Sequence, residues 1–148
     1  METNKKIGAG FGIMLLKNNQ VLLGHRHEDP GKASSLMHGE GTWTMPGGKL
    51  HFGEELKEAA LRELSEETSI VTKKEDLKII SVTNDIVFDA HFVTLGFLCE
   101  KFEGQAKIME PDEITEWRWF DLNNLPQPLF APSEKILKNF AESEIYKY

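Results

Sequence analysis

The sequence predicts an α/β fold in which a mixed β-sheet carries helices on its faces. Three observations lead there. Residues 7–16, Gln20–Arg26, residues 77–88, residues 90–102 and Ile114–Asp121 are apolar or rich in β-branched and aromatic residues, as strands are. Residues 54–68 instead repeat apolar positions at helical spacing, and residues 134–141 form a second helical stretch near the end. Strands, a central helix, more strands and a closing helix are the order of a sheet with helices packed against it.

The elements follow in turn. Residues 7–16 are a strand with Gly8, Gly10 and Gly12 at alternate positions, so one face lacks side chains and invites another backbone or a ligand. Asn18-Asn19 signals a turn, and Gln20–Arg26 is the returning strand of a hairpin. Residues 27–41, polar and rich in Gly and Ser, form a loop. Residues 42–45 are a short extended segment ending at Pro46-Gly47-Gly48, where the glycines open a loop that exposes backbone groups to a ligand. Leu56, Ala60 and Leu64 give residues 54–68 an apolar helical stripe among good helix formers. Residues 77–88 and 90–102 are an antiparallel pair broken at Asp89. Pro126, Pro128 and Pro132 keep the chain irregular before Ser133, which is expected to cap the last helix.

The 148 residues suit one domain, 1–148, without repeat, low-complexity tract or linker. Hydrophobic residues at 40% and charged residues at 28% are those of a globular protein. A formal net charge of −7 with no dense Lys/Arg cluster argues against a nucleic-acid polymer as partner, and an anionic ligand would need a bridging cation. The single cysteine, Cys99, excludes an internal disulfide and reads as a buried thiol in a reducing, cytoplasmic setting. No segment is long and apolar enough for a membrane span or signal peptide. His25, His27, His38, His51 and His91 lack the spacing and cysteine partners of a zinc site.

The chemistry concentrates on the central helix. Glu63, Glu66 and Glu67 are related by three and four residues, and they project beside the apolar stripe rather than opposite it. By itself a Glu-rich helix is most simply a solvated acidic face with Arg62 in a surface ion pair. Partly burying three such carboxylates costs on the order of several kcal/mol. A hard, oxygen-loving cation removes that cost, and Mg2+ or Mn2+ suits carboxylates together with phosphates.

Gly48, five residues, Glu54, seven residues, then Arg62-Glu63-Leu64-Ser65-Glu66-Glu67-Thr68-Ser69-Ile70 resembles the signature box of the Nudix hydrolases. Every charged position is present, and one position departs: the box ends in Gly-aliphatic, and here that Gly is Ser69. In such boxes the Gly lets the chain leave the helix with positive φ, so Ser should cost about 1 kcal/mol there without touching a metal ligand. Residues 39–48, His51-Phe52-Gly53-Glu54, Phe92-Val93-Thr94, Trp119-Phe120 and Leu125-Pro126 are similar to the MutT-like branch, so the likeness runs from about residue 8 to residue 140.

The resemblance implies a Nudix-like α/β/α sandwich with a catalytic loop-helix-loop, and a Mg2+-dependent hydrolysis of phosphoanhydrides for which Mn2+ can substitute. It implies metal ligation by Glu63, Glu66, Glu67 and the Gly48 carbonyl, with Arg62 orienting a neighbouring carboxylate and Glu54 holding the loop at the helix start. A further acid from a later loop is expected, Glu116 before Glu113. The general base belongs to the set Glu63, Glu66 and Glu67. For substrate, Arg26 is placed to bind a phosphate bidentately, with Gly47 and Lys49 beside the box. Gly10 and Gly12 leave room for a flat ligand that Thr94, Phe130 and Leu129 would line, whereas Trp117 and Trp119 belong to the core. The expected substrate is a nucleoside triphosphate, intact or modified, cleaved to monophosphate and pyrophosphate. ADP-ribose or a nucleotide sugar is the alternative substrate, and a non-catalytic nucleotide-binding module the alternative class. The resemblance also implies a homodimer.

Overall fold

A computed structural model describes residues 5–33, 39–87 and 89–148. The strands are β1 (Ile7–Lys17), β2 (Gln20–Arg26), β3 (Trp43–Thr44), β4 (Gly47–Lys49), β5 (Leu77–Val87), β6 (Ala90–Cys99) and β7 (Ile114–Asp121), and the helices are α1 (Leu56–Thr68) and α2 (Ala131–Glu142). They form a mixed sheet in the order β3-β2-β1-β6-β5, with β4 also on β1 and β7 also on β2. Strand β1 runs parallel to β6 from Ile7↔His91 to Leu15↔Cys99. Helices lie on both faces, as the α/β/α expectation requires. Phe11, Ile13, Leu15 and Phe97 pack with Ala59, Ala60 and Leu64 of α1. On the other side Met14, Val21 and Leu23 pack with Ile136 and Leu137 of α2.

The hairpin at Asn18-Asn19 is real but short. Both residues take positive φ (51° and 62°), as a tight hairpin turn requires. Pairing between β1 and β2 stops after Leu16↔Val21 and Lys17↔Gln20. Beyond that point β1 pairs instead with β4, through Gly12↔Gly47, Phe11↔Gly48 and Gly10↔Lys49. Gly47-Gly48 is therefore a strand and not the mouth of a loop. The bare face of β1 is what permits it. The carbonyl of Gly48 lies 3.2 Å from where a Gly10 Cβ would sit, and a Cβ on Gly47 would run into the carbonyl of Phe11.

Two helix starts differ from expectation. Helix α1 begins at Leu56, and Glu55 caps it by accepting the Glu58 N–H. Glu54 lies one residue before the cap because its carboxylate is engaged elsewhere. Helix α2 begins at Ala131 with Phe130 in the cap position. Ser133 thus lies within the first turn, where its Oγ accepts the Met45 N–H at 3.0 Å and fastens α2 to β3. Strand β6 also ends earlier than predicted, at Cys99, and Phe102 stacks on Trp119 with ring centroids 5.8 Å apart. Phe88, predicted to end β5, and His38 lie outside the described residues. The helix exit is as predicted: Ser69 takes φ 69°, ψ 3°, and its N–H donates to the Ser65 carbonyl. No helix among the described residues is long and apolar enough to cross a membrane.

Candidate active site

A cleft of about 370 Å3 opens where β1, β4, α1 and the start of α2 meet. One wall is acidic. Glu63, Glu66 and Glu67 of α1 share it with Glu110 and Glu113, which come from the turn before β7. Gly47, Gly48 and Lys49 of β4 border these acids.

The carboxylates differ in their surroundings. Glu67 accepts the Gly47 N–H at 3.1 Å, and among the described residues no cation stands within ion-pair distance of it. Burial first, then Glu63, Glu110 and Glu113, push its carboxyl well above the usual range against the bond from Gly47. Glu63 lies against Gly48, where a Cβ would meet its carboxyl carbon at 2.7 Å. Burial raises it too, although Arg62 Nη1 donates to its Oε1 at 2.9 Å. Glu110 is raised by burial and by Glu113. Of the three on α1, Glu66 is the outermost, with its side chain 57% exposed and 3.3 Å from Arg62 Nη1.

Arg62 organises this wall from behind. It grips Glu54 with both arms, Nε to Oε2 at 2.9 Å and Nη2 to Oε1 at 3.0 Å, while Nη1 serves Glu63 and Glu66. Glu54 also accepts the His51 N–H at 2.9 Å. These bonds hold its carboxyl down to about 2. Glu54 thus ties the loop 50–55 to the middle of α1 and does not line the cleft.

The chemistry of this donor set, all hard carboxylate oxygens, with burial raising Glu63, Glu67 and Glu110, fits a divalent cation. Among the described residues no three acidic, His or Cys side chains already form a metal sphere. The α1 carboxylates share a wall and do not meet at a point, because Arg62 draws Glu63 and Glu66 toward itself.

The opposite wall is neutral. Phe92 and Thr94 of β6, Phe130 and Ser133 at the start of α2, and Gly10 and Gly12 of β1 line it. Phe92 and Thr94 are buried, and Phe130 packs against Phe92. Lys49 Nζ lies 5.6 Å from the Phe92 ring centroid, at the rim between the two walls.

Several expected residues stand elsewhere. Glu116 does not line the cleft: it pairs with Arg118 at 2.8 Å and sits opposite His25 in the β2–β7 register. Of the two late acids considered, Glu113 reaches the cleft, and Glu110 joins it unforeseen. Its only sequence signal was membership of the acidic run Glu110-Pro111-Asp112-Glu113 before β7. Leu129 packs in the core with Trp43, not in the cleft. Trp117 and Trp119 pack on the core, as expected. Phe92 was missed as a wall residue, since an aromatic in a strand reads as core. Arg26 does line the cleft, but Nε and Nη2 are committed to backbone carbonyls.

The chain has relatives. The family model described as NUDIX domain matches residues 6–140. An ADP-ribose pyrophosphatase from Methanocaldococcus jannaschii is 33% identical over 124 residues, covering 84% of this chain and 67% of that protein. An 8-oxo-dGTP diphosphatase from Escherichia coli is 30% identical over 136 residues, covering 88% and 92%. The crystal structure of a MutT NUDIX hydrolase from Burkholderia pseudomallei superposes with a TM-score of 0.80 at 28% identity, covering 90% and 98% of the two chains.

Proposed function

The chain belongs to the NUDIX domain family, hydrolases of acid anhydrides, and from that premise we propose that it cleaves (deoxy)nucleoside triphosphates, intact or modified, to monophosphate and pyrophosphate. The observation that carries this reading is the pairing, in one cleft of nucleotide size, of an acidic wall with a neutral aromatic and hydroxyl wall.

A divalent cation, Mg2+ with Mn2+ as substitute, would be held by Glu63, Glu66, Glu67 and the Gly48 carbonyl, with Glu113 or Glu110 in place of Glu116. When bound, it neutralises phosphate charge and acidifies an attacking water. The chain supplies the rest. A carboxylate of the Glu63, Glu66 and Glu67 set takes the proton as the water oxygen bonds to phosphorus and the anhydride P–O bond breaks. Burial raises the proton affinity of Glu63 and Glu67 above that of an ordinary carboxylate, the direction a general base requires. Arg62 keeps Glu63 and Glu66 oriented. Lys49 and the Gly47 backbone border the phosphates, and Phe130 with Thr94 receives the base, one as a flat wall and one as a hydrogen-bonding hydroxyl.

The test is a panel of canonical and oxidised nucleoside triphosphates, ADP-ribose and a 5′-triphosphorylated oligonucleotide, scored for pyrophosphate, orthophosphate and AMP with Mg2+. Pyrophosphate from free triphosphates is the expected result. AMP from ADP-ribose as the main reaction would replace this substrate reading. Silence on every substrate would favour a binding module.

A further inference from the structure

Arg26 was expected to bind phosphate, yet its surroundings assign it different work. A register shift between His25 and Arg26, in the pairing of β2 with β7, turns the side chain toward the cleft. There Nε donates to the Gly39 carbonyl at 2.8 Å and Nη2 to the Ala33 carbonyl, also at 2.8 Å. Gly39 and Ala33 are both buried and lie on opposite sides of residues 34–38. The face of the same guanidinium lies 5.1 Å from the centroid of Phe130, the flat wall of the cleft. Gly39 packs so close to that ring that a Cβ there would fall on it. The Arg26 N–H donates to the Thr42 carbonyl at 2.8 Å, and the Gly41 N–H to the His27 carbonyl at 3.1 Å, so the loop closes on itself beside the clip.

We propose that Arg26 is a positioning residue for base binding: its planar fork clips Ala33 and Gly39 of the 27–41 loop together and seats the Phe130 ring against which a nucleotide base lies. Turning Nε and Nη2 to a phosphate would take the Arg26 donor from the carbonyl of buried Ala33 and leave the Gly39 carbonyl to Thr42 alone, a loss a bidentate phosphate contact would have to exceed. Lysine cannot replace it, because a point charge does not bridge two carbonyls while stacking on a ring. The inference rests on the nucleotide reading for its ligand, but not for the clip itself.

The experiment compares wild type with Arg26→Lys and Gly39→Ala on two substrates, a purine nucleoside triphosphate and ribose 5-triphosphate, which lacks the base. Arg26→Lys should raise KM for the nucleotide about tenfold with kcat within about twofold, and change kcat/KM for the base-free substrate by less than about twofold. Gly39→Ala, with the guanidinium retained, should give the same base-selective loss. Hydrogen exchange at the Gly41 and Thr42 amides should speed up in Arg26→Lys with no nucleotide present. Equal losses on both substrates, or a neutral Gly39→Ala, would return Arg26 to phosphate binding. Unchanged exchange at those two amides overturns the clip whatever the kinetics. A wild type inactive on both substrates removes the nucleotide reading while the exchange result still decides the clip.

Discussion

The two walls of the cleft are made of different chemistry and held at different cost. The acidic wall gathers carboxylates, of which burial favours the protonated form in Glu63, Glu67 and Glu110, and among the described residues a backbone N–H, that of Gly47, is the one hydrogen-bond donor to Glu67. The neutral wall has no such debt. Its Ser133 is bonded to Met45 and Thr44, and its rings are packed and stacked by Arg26 and Lys49. The difference teaches that the first wall is under electrostatic tension that a cation would relieve, whereas the second is already satisfied and acts by shape. Changes on the first should trade activity for stability. Changes on the second should alter binding alone.

The largest effect is expected from Glu67→Gln. Its amide oxygen can still accept the Gly47 N–H, so the fold is kept while turnover falls at least on the order of a hundredfold. The raised carboxyl makes the contribution of Glu67 itself most favourable below the ordinary 4.5, and that contribution is lost as pH rises above 4.5. The metal-free variant should therefore melt higher than metal-free wild type at neutral pH. A lower melting temperature would show that the wall carries no tension. Phe130→Ala comes next, and should raise KM about tenfold for nucleotides with kcat little changed. A kcat loss as large as the KM gain would mean the walls do not divide the work.

Glu54→Gln sharpens the comparison from outside both walls. Its carboxyl is depressed from 4.5 to about 2, so the stability it contributes is complete above pH 4.5 and is lost as pH falls toward 2. Thermal melts should show wild type above the variant at pH 7 and the gap closing below pH 4.5. A gap independent of pH would place the effect of Glu54 elsewhere than in its ion pair with Arg62. The smallest effect is Ser69→Gly. Relief of the left-handed conformation should add about 1 kcal/mol, or about 3 °C in Tm, with unchanged kcat. No gain in Tm would mean the Ser69 conformation is unstrained.

The acidic wall was legible because a helix converts sequence spacing into direction. Glu63, Glu66 and Glu67 lie within one turn and a half of α1, so their side and their neighbours follow from a single periodicity. The bounds of the strand Ile114–Asp121 were legible from its own composition, and the positive φ at Ser69 from the box it belongs to. The neutral wall was only partly so. Phe92, Thr94 and Phe130 come from two separated stretches, and which face of β6 looks into the cleft depends on its pairing with β1. Gly47-Gly48 became a strand only because the bare face of β1 admits it. Ser133 carries a cap residue's chemistry but was claimed by Met45.

By itself, then, the sequence determined the order of strands and helices and the carboxylate wall on α1, because each rests on spacing within a few residues, while the α/β/α class and the left-handed exit at Ser69 followed from the likeness of its box. Tertiary structure decided the rest. It selected Glu113 and Glu110 over Glu116, since strand register and not composition chooses which late acid faces the cleft. It also turned Arg26 from solvent and phosphate to the carbonyls of Gly39 and Ala33. Those bonds join residues that only the folded loop brings together.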